Sequence, residues 1–114
     1  MEKEFIHYEQ ALALKELGFD EPCFGWYNNK HSALSVGESW RSAQDSISAP
    51  TFSQAFRWFR EKYDLHSYID RVYGKGFYVY EYFIDKDNQC FNLKRYEEAE
   101  LECLKKLIEI VKRK

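Results

Sequence analysis

The stretch Ala49–Tyr68, APTFSQAFRWFREKYDLHSY, interleaves aromatic rings with arginine, lysine and histidine, and its reading decides the fold. Such a run suits a nucleic-acid-reading helix, a catalytic helix or the central beam of a small core. Thr51 followed three residues later by Gln54 is a capping-box pattern, which starts a helix just after Thr51. From there Phe52, Ala55, Phe56, Phe59 and Tyr63 fall within an arc of about 100° at 3.6 residues per turn, the width of a core-facing stripe. The back of the helix is then Arg57, Trp58, Arg60, Glu61 and Lys62. Arg57 and Glu61 are spaced to pair, and Lys62 lies one turn beyond Trp58, where its stem covers the indole. That is the chemistry of a solvated helix back. Two sharper readings compete with it: a protein-binding face centred on Trp58, or a phosphate-contacting one.

Downstream, Leu65–Leu93 reads as three strands joined by turns at GKG (Gly74–Gly76) and DKDNQ (Asp85–Gln89). The middle strand is apolar on both sides of its alternation. Phe77, Val79, Glu81 and Phe83 lie on one side, and Tyr78, Tyr80, Tyr82 and Ile84 on the other, as expected of a central strand. The tyrosine side is expected to meet the helices, because the opposite side carries Glu81. The chain ends in YEEAELECLKKLIEIVK, where Leu101, Leu104, Leu107, Ile108 and Val111 make a helical stripe over 96–112. Acidic residues crowd its start and basic ones its end, as the helix dipole prefers.

Upstream, HYEQALALKELGFDEP predicts a helix over 8–17. Gly18 is placed as its left-handed C′ residue, and Phe19 folds back on the last turn. The runs CFGWY and SALSV around NNKH read as a hairpin. The polar, serine-rich segment Gly37–Ala49, with Trp40 isolated in it, is expected to be a long and poorly ordered loop.

At 114 residues one domain, 1–114, is expected, and the chain holds 3 Trp, 9 Tyr and 9 Phe. No apolar run nears the roughly 20 residues of a membrane span. The start, MEKEFIHYEQ, has no apolar leader region or small-residue cleavage site, so a cytoplasmic protein is expected. Net charge −2 weighs against a general polyanion binder. Only residues 41–75 lean basic, with six positive groups against four negative, so nucleic-acid binding through Arg57, Arg60, Lys62, Arg71 and Lys75 is the alternative, not the main, expectation.

Chemical motifs are scarce. Cys23, Cys90 and Cys103 are scattered like His7, His31 and His66, with no ligand-pair spacing, so structural thiols and no metal are expected. DKDNQ lacks the glycine and glutamate of a calcium loop, GKG lacks the following helix of a phosphate loop, and no serine sits in a G-x-S-x-G elbow. Glu97 and Glu100 share a helix side with Leu104 and Leu107, and with Glu81 they would make a carboxylate cluster. The plainer reading leaves them as dipole-stabilising residues at the helix start. No cofactor and no catalytic residue is assigned, and the expectation leans away from an enzyme.

Three blocks, YEQALALKELGFDEPCFGWY, APTFSQAFRWFREKYDLHSYI and YEEAELECLKKLIEIVK, resemble a group of short uncharacterised proteins encoded by gut bacteria and by their phages and mobile elements. The resemblance implies context only, that of accessory factors that bind a host or phage component, and it transfers no site residue.

The expected fold is α+β: a small, mostly antiparallel sheet of four to five strands with three helices, the aromatic and C-terminal helices packed on one face. Two helices cover one face of the central strand, which leaves an aromatic strip on the other. The expected function is a small protein-binding or regulatory accessory module whose protein partner, or second copy in a homodimer, docks on that strip. The candidate contacts are Phe77, Val79 and Phe83, with Trp26 extending the strip and Trp58 on the helix back.

Overall fold

The computed structural model describes residues 4–28, 31–36, 46–74, 76–85 and 88–113. The elements in chain order are α1 (Tyr8–Glu16), β1 (Gly25–Asn28), β2 (His31–Val36), β3 (Ser46–Ala49), α2 (Phe52–Tyr63), β4 (Ser67–Gly74), β5 (Phe77–Ile84), β6 (Asn88–Leu93) and α3 (Tyr96–Lys112). This is the α+β class. Where the sequence suggests one sheet of four to five strands, the described strands divide into two antiparallel sheets of three, ordered β2-β1-β3 and β4-β5-β6. The chain forms two compact units, Met1–Ala55 and Phe56–Lys114, each holding one sheet.

In the first unit α1 packs on β3 and β2. Its C-terminus closes as the sequence requires. Gly18 takes φ 98°, its N–H donates to the Lys15 carbonyl, and the Phe19 N–H donates to the Leu14 carbonyl at 3.0 Å. Leu14 and Phe19 are both buried. Tyr27 of β1 faces α1, with its ring edge-on to Tyr8 at 5.6 Å and its hydroxyl donating to the Ile6 carbonyl at 2.8 Å. Phe5 bridges to Thr51 and lies so close to Gly25 that a Cβ there would stand 2.8 Å from the ring.

Ser46–Ala49, expected as the end of a long loop, is instead strand β3. Ile47 and Ala49 are fully buried opposite Tyr27 and Gly25, and this covered face outweighs the serines between them. Gly37–Asp45, the rest of that expected loop, lies outside the described residues.

Helix α2 starts where Thr51 caps it, its Oγ1 accepting the Gln54 N–H at 3.1 Å. The Gln54 side-chain amide nitrogen in turn donates to the Pro22 carbonyl and to Glu21. The buried stripe is Phe52, Ala55, Trp58 and Phe59, rotated from the expected one. Trp58 therefore belongs to the interior and Phe56 to its edge, a correction of the solvated-back reading. The physical reason is size: an indole carries more apolar area than a phenyl ring, and Trp58 also meets Phe59 and Tyr63 edge-on at 5.1 and 5.4 Å. Lys62 places its ammonium 5.3 Å from the indole centre, as its spacing suggests.

In the second unit, β4 and β5 pair along their whole length from Ser67↔Ile84 to Gly74↔Phe77, and Gly76 turns the hairpin at φ 90°. Helix α3 packs chiefly on β5, and also on β4 and β6. It begins and ends where the sequence predicts, but its buried stripe is Ala99, Cys103, Leu104, Leu107, Ile108 and Val111, with Leu101 at the margin. Of the two helices expected on one sheet face, α3 is the one whose backbone closely approaches this sheet.

Candidate functional site

Strand β5 runs from exposed to buried along its length. Phe77 and Tyr78 are exposed, whereas Tyr82 and Ile84 are buried. The alternation assigns the faces. Tyr80 meets Tyr96, the first residue of α3, edge-on at 5.8 Å, so Tyr78, Tyr80, Tyr82 and Ile84 form the helix side, as the position of Glu81 suggests. On the other side Tyr68 stacks on Phe83 at 4.7 Å, and the register sets Asp70 opposite Glu81, Val72 opposite Val79 and Gly74 opposite Phe77. Helix α3 packs on the tyrosine side.

This open face is apolar at both ends. Tyr68 and Phe77 are each 59% exposed, Val72 is 37% exposed, and Val79 and Phe83 are half-buried. The hairpin end is also bare on the helix side. There Tyr73 and Tyr78 pair edge-on at 5.0 Å, both exposed, and the Arg71 guanidinium lies 4.1 Å from the centre of the Tyr78 ring.

The structure brings Phe77, Val79 and Phe83 together, and adds Tyr68 and Val72, which sequence reasoning missed. Their signal was present in the strand alternation of SYIDRVYG, but only the pairing register shows which of its sides joins Phe77 and Phe83. Trp26 belongs to a different sheet from this strip. It is half-buried on β1, between Ser35 and Ser48, in the other sheet. Trp58 is interior, as described above.

Arg57 pairs with Glu61 at 3.7 Å, Lys62 leans on Trp58, Arg60 is exposed on the same helix, and Arg71 is laid against a tyrosine. Lys75 lies outside the described residues.

The three-carboxylate cluster does not form, because Glu81 points to the open face while Glu97 and Glu100 belong to α3 on the other. What forms instead is a small polar group of Tyr80, Tyr96, Glu100, Cys103 and Ser67. Burial, then the Glu97 carboxylate, pushes Glu100 up to about 7. Burial chiefly, with Glu100, Cys103 and Tyr80 adding, raises Tyr96 above its ordinary value. Burial pushes the Cys103 thiol up to about 12, against a lowering hydrogen bond with Ser67, and Glu100 adds to the rise. Cys23, whose thiol donates to the Glu21 carbonyl, is pushed to about 12 by burial and by the Glu21 charge. Both are free thiols held protonated at neutral pH, and so are poor nucleophiles.

Among the described residues no group of three or more His, Cys, Asp or Glu is placed to hold a metal ion, and no helix is long and apolar enough to cross a membrane. Compared with protein-family models, curated proteins and solved structures, the chain matches none.

Proposed function

We propose that this chain is a protein-binding accessory or regulatory module that receives its partner on the open face of the β4–β5 hairpin. One observation carries the reading: Tyr68, Val72, Phe77, Val79 and Phe83 share the sheet face opposite α3, and the first three are exposed. An apolar strip held on paired strands is preorganised, so little side-chain and loop ordering opposes docking. The contribution of each ring follows from what a partner would remove from water, at roughly 25 cal/mol per Å² of apolar area. The role agrees with what the sequence resemblance implies, an accessory factor of a phage or mobile element that engages a host or phage protein.

Affinity capture from the encoding organism, run in parallel with the parent chain and a Phe77→Ser/Val72→Ser variant, tests it. The expected result is one or more proteins retained by the parent and lost by the variant at equal melting temperature. An identical captured set for both chains would refute docking on this face.

A further inference from the structure

The open face is not uniformly apolar. At its middle, Asp70 of β4 and Glu81 of β5 are register partners, so two carboxylates stand directly across from each other on one sheet face. Like charges so placed repel at the roughly 4.5–5.5 Å that separates such Cβ atoms. Among the described residues neither has an ion-pair partner. The nearest arginine in sequence, Arg71, points to the other face, where it is occupied with Tyr78. Strand β6 contains no lysine or arginine at all. Apolar groups border the acidic pair on both sides along the strands, the Tyr68–Phe83 stack at one end and Val72, Val79 and Phe77 at the other.

We infer that the partner presents a lysine or arginine flanked by apolar side chains, the cation lodging between Asp70 and Glu81 and the flanking groups covering the rings and valines. The inference rests on the docking reading above and narrows it. Three physical points support it. A cation between two opposed carboxylates relieves their repulsion as well as gaining its own attraction, and partial desolvation by the surrounding rings strengthens both. A second copy of this chain fits poorly, since face-to-face packing would gather four carboxylates in one interface with no counter-charge. A hydrated divalent ion fits poorly too, because the apolar border offers no further oxygen ligands.

Selection of a random displayed peptide library against the intact chain, followed by titration of the winning peptides into the isotope-labelled protein, tests this. The variant is Asp70→Asn/Glu81→Gln, whose new side-chain amide at position 70 keeps an oxygen to accept the Arg71 N–H, as the carboxylate does in the parent. Expected are peptides enriched in Lys or Arg between apolar residues, amide shifts centred on Val72 and Val79, and binding that weakens about tenfold or more in the variant and falls with added salt. The same variant, freed of the repulsion, should melt higher than the parent at low salt.

Peptides that map to this face, are lost on Phe77→Ser/Val72→Ser, yet show no basic preference and ignore the Asp70→Asn/Glu81→Gln change would overturn the cation inference and leave the docking reading standing. Selection of no peptide, or of peptides indifferent to the apolar substitutions, would overturn both. Should the apolar variant prove unstable, the amide shifts of the parent alone decide the location.

Discussion

Tyr68 stacks on Phe83 across the β4–β5 pair, with ring centres 4.7 Å apart and planes inclined by 17°. The stack is half in water: Tyr68 is 59% exposed while Phe83 is half-buried. The same contrast between displayed and interior rings runs through the chain and sets the predictions for individual aromatics.

Phe77→Ala is expected to change unfolding free energy by no more than about 0.5 kcal/mol, since the ring is largely exposed and leaves no cavity behind. Phe59→Ala should cost about 3–5 kcal/mol, because that ring is fully buried. Urea denaturation of both variants checks the difference. Equal costs would mean that Phe77 is packed after all.

Trp58 is expected to behave as an interior residue. Trp58→Ala should destabilise by about 3–5 kcal/mol, with Trp58→Phe intermediate. A Trp58→Ala chain that melts with the parent would restore the indole to the helix surface.

Gly25→Ala is expected to be destabilising by about 1–3 kcal/mol, because the new methyl would stand 2.8 Å from two atoms of the buried Phe5 ring and 3.1 Å from the Ala49 carbonyl oxygen. Adding Phe5→Leu should recover part of the loss if the ring is the obstacle. The double variant's melting curve, set beside the two single ones, gives the coupling.

Glu100 makes stability depend on pH in the less common direction. Its carboxyl is raised in the folded chain to about 7 from an ordinary 4.5, by burial first and Glu97 second. The folded state therefore holds the proton more tightly, and stability falls as pH rises from about 4.5 through 7. Glu100→Gln should flatten that dependence and stabilise the chain at pH above 7 by on the order of 1 kcal/mol, once solvent screening of the half-buried group is allowed for. Thermal melts at several pH values compare the two. A slope unchanged by the substitution would place the titration elsewhere in the chain.

Much of this fold is legible in the sequence because its signals are local. The Thr51 cap, the Gly18–Phe19 helix closure, the GKG hairpin and the bounds of α3 each depend on a few adjacent residues and on backbone geometry alone. What escaped is what depends on partners distant in the chain. Whether Trp58 or Phe56 turns inward is decided by what α2 packs on, not by its own periodicity. Strand β3 offers only Ile47 and Ala49 as apolar residues, too short a pattern to outweigh its serines until β1 is placed beside it. The candidate site divides in the same way. Phe77, Val79 and Phe83 follow from alternation within one strand. Tyr68, Val72 and the opposition of Asp70 to Glu81 need the pairing register.

The Asp70 carboxylate also accepts the N–H of Arg71, its own neighbour on the outermost strand, at 3.0 Å. A main-chain donor already engaged is a poor template for another strand, and two adjacent ionic side chains on the same rim make it poorer. At this point the β4 edge is thereby discouraged from pairing sideways with another strand.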